Sequence, residues 1–161
     1  YGLINNACHS VNDDYATISK ESLDKHYDIN LRATTLISCE FARRYEFLDG
    51  GRIINMISGQ SLGPMYNELS YAITKGALET LTYTLAAALA TKKITVNAIN
   101  PGPTDTGWMS EALKEDLIKR FPFGRLGEPK DAANLASFLM SKEGEWISGQ
   151  IIHSEGSFIR G

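Results

Sequence analysis

The strongest constraint on the fold of this chain is the alternation of strand-like and helix-like segments along its whole length. Short Gly-, Asn- and Pro-containing stretches separate the segments, and strands that alternate with helices build βαβ units around a parallel sheet. The sequence therefore predicts a single α/β domain over residues 1–161, with a doubly wound parallel sheet. The predicted strands are residues 1–4, 52–57, 94–99 and 150–153, and the predicted helices are residues 20–47, 70–91, 107–120 and 129–140.

The composition is that of a globular domain, and it disfavours several classes of partner. The chain is 43% hydrophobic and 22% charged, which suffices for a buried core. Its net charge of -3 and its scattered basic residues disfavour nucleic acid and anionic membranes as partners. The most apolar stretch, residues 78–90, is too short and too often interrupted by polar side chains to span a bilayer.

Cysteine and histidine residues are few and widely separated. Cys8 and Cys39 form neither a metal-binding pair nor a redox pair, which is typical of free thiols in a reducing compartment and favours a cytoplasmic location. His9, His26 and His153 are equally dispersed. No metal site is therefore predicted.

Tyr71 and Lys75 lie four residues apart in a segment that is predicted to be helical. Side chains at this spacing leave the same face of a helix, with β-carbons about 5–6 Å apart, so the ammonium can act on the phenol. Lowering a tyrosine pKa from ~10 to ~7 requires about 4 kcal/mol of preference for the phenolate, to which a nearby ammonium contributes. Such a tyrosine donates a proton to a carbonyl or accepts one from an alcohol.

Ser58 gives this pair a structural context. Alone, the pair is weak evidence for a site, because a surface tyrosine and lysine also occur at this spacing by chance. Ser58 lies 13 residues before Tyr71, at the carboxyl end of the strand predicted at residues 52–57. Open α/β sheets bind their ligands at that edge, where the Ser58 hydroxyl can hydrogen-bond a substrate oxygen.

Six segments, in the same order, resemble the short-chain dehydrogenases/reductases, and the resemblance runs from Leu3 to about Phe158. They are the turn Asn5-Asn6-Ala7-Cys8, the helical Asn30, the strand Gly51 to Ser58, the helix Tyr71-Ala72-Ile73-Thr74-Lys75, the turn Val96 to Gly102 with Thr106 after it, and the pair Gly149-Gln150. The resemblance implies a Rossmann-like fold. Within the family, the chain is similar to 3-oxoacyl-carrier-protein reductases.

The resemblance implies a catalytic set of four residues. Tyr71 is expected to be the general acid and base, and Ser58 is expected to orient the substrate oxygen. Lys75 is expected to bind the nicotinamide ribose hydroxyls and to lower the pKa of the tyrosine. Asn30 is expected to hold a water molecule that links Lys75 to solvent.

The resemblance also implies a site for NADP or NAD. Its expected residues are Asn5, Ala7, Tyr71, Lys75, Pro101, Gly102, Thr104 and Thr106. The backbone near Thr104 and the hydroxyl of Thr106 are expected to bind the nicotinamide carboxamide, while Asn5 and Ala7 lie along the adenosine ribose. Asn6 is expected instead to brace neighbouring strands through buried hydrogen bonds.

The chain departs from the family pattern at two glycine positions and at its amino-terminal end. Cys8 and Ser157 each replace a glycine. A positive φ at Cys8 would be strained, because a β-carbon disfavours that conformation, whereas Ser157 is expected to affect subunit packing. No Gly-rich turn follows an opening strand, so the Gly-rich half of the nucleotide-binding fold is absent. The chain is therefore expected to be the C-terminal catalytic part of a longer protein.

The leading hypothesis is an oxidoreductase that moves hydride between a nicotinamide cofactor and a small carbonyl or alcohol, with a 3-oxoacyl thioester as a candidate substrate. Trp108 and Met109, in a lid at residues 107–120, are expected to line the pocket and to favour a non-sugar substrate. One alternative is a non-catalytic Rossmann-like binding or scaffold chain; another is a family member that catalyses epimerisation or dehydration. The resemblance further implies a homo-oligomer, either a dimer or a tetramer.

Overall fold

A four-stranded parallel sheet forms the centre of the computed structural model, which describes residues 1–46 and 49–160. The strands are β1 (Gly2–Asn5), β2 (Arg52–Met56), β3 (Thr95–Asn100) and β4 (Ile151–His153), and they pair in the order β1-β2-β3-β4. Ile53 lies between Leu3 of β1 and Val96 of β3. The four predicted strands are confirmed, with every boundary within one residue of its predicted position.

The helices follow the strands in alternation. They are α1 (Lys20–His26), α2 (Thr34–Arg44), α3 (Leu69–Leu89), α4 (Glu111–Ile118) and α5 (Pro129–Met140). A π-helical stretch, Tyr27–Ala33, joins α1 to α2, and a short 3₁₀ helix, Ala90–Lys92, extends α3. The helix predicted over residues 20–47 is therefore divided by a π-helical stretch. Its predicted end at Phe47 lies outside the described residues.

Local backbone chemistry sets the beginnings of α4 and α5. Gly107 adopts a φ of 93°, which is not helical, and the Ser110 hydroxyl accepts a hydrogen bond of 3.3 Å from the Leu113 backbone N–H. For these reasons α4 begins at Glu111, and the predicted beginning at residue 107 is wrong. The prediction for α5 is confirmed: it begins at Pro129, because proline suits the first turn of a helix.

Apolar layers cover both faces of the central strands. Ile53 and Val96 pack with α2 and α3 on one face, while Ile54 and Ile99 pack with α5 on the other. All four side chains are at most 1% exposed. Strands buried on both faces by helices are typical of a doubly wound parallel sheet, and this fold prediction is confirmed.

The buried face of α3 is more polar than the sequence pattern predicts. The pattern places Leu78, Leu81, Leu85 and Ala88 against the core, but Ala88 is exposed and Leu81 and Leu85 are half-buried. The buried line instead consists of Ser70, Thr74, Lys75, Leu78, Thr82 and Ala86. Thr82 is tolerated there because its hydroxyl donates to the Leu78 carbonyl at 2.7 Å. No helix among residues 1–46 and 49–160 has both the length and the apolar character of a membrane span.

A line of polar side chains ties β1 and β2 to the helices beneath them. The Asn5 side-chain amide donates to the Ser38 hydroxyl at 2.9 Å and to the Asn55 side-chain carbonyl at 2.8 Å. Asn55 in turn donates to the Thr82 hydroxyl at 2.9 Å. The predicted bracing role of Asn6 is therefore wrong: β1 extends through Asn5, which turns the Asn5 side chain inward and leaves Asn6 exposed.

Candidate active site

Three of the predicted site residues meet where β2 ends and α3 begins. Ser58 follows the end of β2 by two residues, and Tyr71 and Lys75 occupy the first two turns of α3. The Ser58 hydroxyl hydrogen-bonds the Tyr71 phenol oxygen. The Lys75 Nζ lies 5.4 Å from the centre of the Tyr71 ring. A hydroxyl, a phenol and an ammonium are thus gathered at the carboxyl edge of the sheet, as the spacing predicts.

Lys75 is a buried ammonium with unused hydrogen-bonding capacity. Its residue is 3% exposed, and its Nζ donates to the Met56 backbone carbonyl at 2.7 Å. An ammonium has three donors, and among the described residues this carbonyl is its one hydrogen-bond acceptor. Burial lowers the pKa of Lys75 from its ordinary value, since a charged group is poorly solvated there. Two N–H groups remain available for a ligand.

The phenol of Tyr71 is harder to ionise than an ordinary tyrosine. Burial raises its pKa to about 12; the nearby Cys8 and Glu68 also raise it, whereas the hydrogen bond from Ser58 lowers it. The expected lowering of the pKa by Lys75 is therefore wrong for the chain by itself. Burial makes the largest contribution to this pKa. The Lys75 ammonium points one of its donors at the Met56 carbonyl rather than at the phenol oxygen.

Asn30 connects the loop after β1 to the amino-terminal part of α3. It lies in the π-helical stretch and is 1% exposed. Its side-chain amide donates to the His9 carbonyl at 2.9 Å and to the Thr74 hydroxyl at 3.1 Å, and its side-chain oxygen accepts from the His9 N–H at 2.7 Å. Thr74 is adjacent to Lys75, so Asn30 steadies the residues around the lysine. Its role in holding a water molecule stays a prediction.

Asp13 caps α3 from a distant loop, a role that no local pattern in the sequence predicts. Its carboxylate is 5% exposed and accepts from the Ser70 backbone N–H at 2.9 Å and from the Ser22 hydroxyl at 2.8 Å. Its carbonyl accepts from the Leu69 N–H at 3.1 Å. Burial alone raises the pKa of Asp13, but the hydrogen bonds from Ser70 and Ser22 outweigh it, and the net pKa is below its ordinary value. The first free N–H groups of α3 are thereby satisfied.

The residues expected at the nicotinamide follow β3 at the same edge of the sheet. Gly102 has a φ of 66°, a conformation that favours glycine, and its N–H donates to the Asn100 side-chain oxygen at 3.0 Å. Pro101 and Thr104 are half-buried, and the Thr104 hydroxyl donates to the Gly102 carbonyl at 3.2 Å. Thr106 is exposed. The turn is held by its own hydrogen bonds, which leaves its outer surface for a ligand.

The remaining predicted residues lie around this edge in different environments. Ala7 and Cys8 are exposed after β1. Cys8 does not adopt a positive φ, so the strain expected there is absent, whereas Ser157 has a φ of 59° and adopts the left-handed conformation itself. Trp108 is 64% exposed, but Met109 is only 6% exposed and packs inside the protein. Their lining of a substrate pocket stays a prediction.

The chemistry of this edge fits a nicotinamide cofactor. The two unused N–H donors of Lys75 suit the paired hydroxyls of a ribose, and they lie in a buried position where an unpaired donor is costly. Gly102 provides a turn without a side chain, which allows a flat ring to approach the backbone. Ligands of open parallel sheets bind at the carboxyl ends of the strands, where all these groups lie.

A family model described as enoyl-(acyl carrier protein) reductase matches residues 1–158 of the chain. The chain belongs to the short-chain dehydrogenases/reductases. This membership confirms the resemblance in the sequence, and it agrees with the Ser58, Tyr71 and Lys75 arrangement at the edge of the sheet.

Relatives in the short-chain dehydrogenase/reductase family are similar over most of this chain. The uncharacterized oxidoreductase YjdA of Bacillus subtilis (strain 168) is 55% identical over 161 residues, which are 99% of this chain and 64% of that protein. The 3-oxoacyl-[acyl-carrier-protein] reductase FabG of Rickettsia felis is 34% identical over 86% of this chain and 59% of its own length. The crystal structure of the angucycline C-6 ketoreductase LanV with bound NADP matches with a TM-score of 0.88 and 31% identity, over 96% of this chain and 61% of that one. The chain thus spans less than two thirds of the length of these relatives.

Proposed function

We propose that the complete protein is an NADP(H)-dependent reductase that converts a small carbonyl compound to an alcohol. The observation that carries this proposal is the convergence of the Ser58 hydroxyl, the Tyr71 phenol and the Lys75 ammonium at one edge of the sheet. The ketoreductase LanV, to which the chain is similar, binds NADP, and this similarity supports NADP over NAD.

The side chains of this site divide the reaction among them. When bound, the nicotinamide cofactor supplies the hydride for reduction or takes it up for oxidation. Ser58 and Tyr71 bind the substrate oxygen, and Tyr71 donates its proton as negative charge develops there. Lys75 places a positive charge beside the phenolate that remains, and its unused N–H groups hold the cofactor ribose. Asn30 keeps the backbone around Lys75 in place through Thr74.

The protonated phenol of Tyr71 suits the reductive direction at neutral pH. Because burial raises the pKa of Tyr71 to about 12, the phenol is protonated at neutral pH. A protonated phenol is the form that donates to a reduced carbonyl, whereas alcohol oxidation needs the phenolate as a base. The reductive direction therefore requires no prior loss of a proton from the site.

A 3-oxoacyl thioester is the more specific substrate that we propose, on the basis of the similarity to the Rickettsia reductase.

We also propose that the protein is a cytoplasmic homo-oligomer, a dimer or a tetramer. Apolar side chains on the outer helix faces support an oligomer: Leu36 and Ile37 of α2 are 58% and 50% exposed, and Ile73 of α3 is 53% exposed. Free cysteines at positions 8 and 39 support a reducing compartment.

The proposed function is tested by NADPH consumption with the complete gene product and a panel of 3-oxoacyl thioesters, aldehydes and simple ketones. Tyr71→Phe removes the proton donor and is expected to lower kcat by about 10²–10⁴-fold. Tyr83→Phe is the matched control, since Tyr83 lies on the same helix and is 54% exposed; it is expected to retain activity. Equal activities for the two variants would refute the assigned role of Tyr71.

The same measurements separate the proposed reductase from its alternatives. A wild-type protein that quenches NADPH fluorescence but turns over no carbonyl would support a binding or scaffold chain. Product formation without net change in NADPH would support epimerisation or dehydration. NADPH consumption that matches alcohol formation one to one supports the reductase.

A further inference from the structure

The segment after β4 folds back towards the candidate active site and carries a half-buried ion pair. The Arg160 guanidinium makes two parallel contacts with the Glu155 carboxylate, one of them from Nη1 to Oε2 at 2.6 Å and the other from Nη2 to Oε1. The Glu155 side chain is 9% exposed and the Arg160 side chain is 25% exposed. A two-contact guanidinium–carboxylate pair fixes orientation as well as distance.

Glu155 reaches the cofactor side of the site. Its Oε1 accepts from the Asn100 side-chain amide at 2.7 Å, and Asn100 holds the N–H of Gly102. The backbone of Gly102 also packs directly against Glu155: a β-carbon built on Gly102 would lie 3.0 Å from the Glu155 Cβ and Cγ. Glu155 therefore supports the turn that is expected to contact the nicotinamide, both through Asn100 and by direct packing against Gly102.

Arg160 reaches the substrate side of the site. Its guanidinium lies over Gly59, the residue after Ser58: a β-carbon built on Gly59 would overlap Nη2 and lie 3.1 Å from Cζ. The Arg160 Cδ lies 3.5 Å from the corresponding position on Gly63, so the arginine covers the loop from Gly59 to Gly63. The Arg160 guanidinium also lies 5.3 Å from the centre of the Phe158 ring.

We propose that Glu155 and Arg160 are positioning residues that hold the cofactor turn at Gly102 and the substrate loop at Gly59 in one fixed arrangement. This inference rests on the proposed reductase function and extends it to residues beyond the Ser58, Tyr71 and Lys75 set. Arg160 packs on the loop that follows Ser58, and Glu155 connects Arg160 to the turn at Gly102 through Asn100.

The chemistry of the two side chains explains why the pair suits this task. Burial alone raises the pKa of Glu155, but hydrogen bonds from Arg160 and Asn100 outweigh it, so the net pKa is below its ordinary value and the carboxylate is ionised at neutral pH. A planar guanidinium can lie flat over a glycine while it holds a carboxylate at its edge, which a lysine ammonium cannot do.

A double-mutant cycle with Gly59→Ala and Arg160→Ala in the complete gene product tests the contact. Alone, Gly59→Ala is expected to lower kcat/KM for the carbonyl by about 10-fold, because the new methyl group overlaps Nη2 of Arg160 and pushes the guanidinium off the loop beside Ser58. In the Arg160→Ala background the space for that methyl group is free, and the same change is expected to cost less than about 2-fold. Millimolar guanidinium is expected to restore part of the activity of Arg160→Ala.

Three further variants separate positioning from general stability. Arg120→Ala is the control for the stability of this segment: Arg120 lies 4.7 Å from the same Phe158 ring and its Nε donates to the Ile159 carbonyl at 2.9 Å, whereas the three atoms nearest a β-carbon on Gly59 all belong to Arg160. It is expected to retain kcat/KM. Arg160→Lys is expected to resemble Arg160→Ala. Glu155→Gln is expected to raise both the carbonyl KM and the NADPH dissociation constant. Arg160→Ala is expected to raise the carbonyl KM more than the NADPH dissociation constant, because Glu155 keeps its hydrogen bond from Asn100.

The outcomes distinguish failure of this inference from failure of the proposed function. If the wild-type protein reduces carbonyls and the effects of Gly59→Ala and Arg160→Ala multiply independently, the positioning role is refuted and the reductase stands. If the wild-type protein reduces no carbonyl, the reductase fails. In that case amide hydrogen exchange still decides the contact: exchange of residues 59–63 must speed up in Arg160→Ala but not in Arg120→Ala, and equal exchange overturns the inference.

Discussion

The two ends of α3 are built in different ways. At the amino-terminal end, the buried side chains Ser70, Thr74 and Lys75 are polar, and this turn of helix is bonded to the loop after β1, to the π-helical stretch and to the end of β2. At the carboxyl-terminal end, Ala86 lies in an apolar cluster against which Leu85 packs. Apolar burial stabilises without fixing direction, whereas hydrogen bonds fix direction with a small net gain. The apolar carboxyl-terminal end therefore stabilises the helix, and the hydrogen-bonded amino-terminal end fixes the orientation of its side chains.

The largest expected effect on catalysis comes from replacing the lysine at the amino-terminal end of α3, with a lysine beyond the other end as the control. Lys75→Met removes the buried ammonium and is expected to lower kcat/KM by about 10²-fold or more, with little change in Tm, because methionine fills the same space without a buried charge. Lys92 also donates to a backbone carbonyl, that of Ala42 at 2.6 Å, but it lies beyond the other end of α3 and is exposed. Lys92→Met is therefore the control, and equal losses of activity in both variants would contradict the contrast between the ends.

An intermediate effect is expected from Asp13, which caps the polar end. Asp13→Ala leaves the buried Ser70 N–H without its acceptor and is expected to lower the free energy of unfolding by about 1–2 kcal/mol. Its loss of kcat is expected to exceed that of a variant elsewhere in the chain with the same loss of stability. Urea unfolding and steady-state kinetics on the same samples measure both quantities.

The pKa of Asp13 gives this prediction a pH dependence. Its folded-state pKa is below the ordinary value, so its stabilisation is present above the unfolded-state pKa of about 4 and is lost as pH falls through the folded-state pKa. Asp13→Asn is expected to flatten the acid limb of a plot of unfolding free energy against pH. Asp116→Asn is the control, since the Asp116 side chain is 70% exposed; an identical flattening there would argue against a special role for Asp13.

The smallest effect on catalysis is expected at the apolar end. Leu85 is half-buried, so Leu85→Ala is expected to lower the free energy of unfolding by about 1–2 kcal/mol through lost apolar contact. Both kcat and KM are expected to stay within about 2-fold of wild type well below the melting temperature. A specific loss of kcat in the folded variant would show that the two ends are not independent.

Local patterns and parallel topology explain why much of the site was predictable. The four-residue spacing of Tyr71 and Lys75 fixes their common face on any α-helix, and a parallel sheet brings Ser58, Gly102 and Ala7 to one edge because all its strands end there. The strands were predictable because short β-branched runs are a local signal of a buried strand. These features depend on neighbouring residues or on the fold class, and both can be inferred from a single amino-acid sequence.

Features that depend on partners distant in sequence were not predictable in the same way. The Asp13 cap and the Glu155 contact with Asn100 join segments 57 and 55 residues apart, and no local pattern encodes either of them. Because β1 ends one residue later than predicted, Asn5 rather than Asn6 makes the bracing hydrogen bonds, since successive side chains in a strand face opposite ways. The direction of the Tyr71 pKa depended on burial, which spacing does not reveal.

The π-helical stretch Tyr27–Ala33 has a consequence for how insertions and deletions are tolerated. The buried side chains across this region recur every four residues: His26, Asn30, Thr34, Ser38 and Ala42. In a regular α-helix a four-residue repeat rotates by about 40° at each step, so such a line would wind away from the sheet, and a wider turn counteracts that rotation. Deleting one residue here would let the stretch relax to an α-helix and would swing Asn30 off Thr74. A deletion at an exposed loop tip would disturb no such line of buried side chains, so the packing geometry fixes the number of residues at this point.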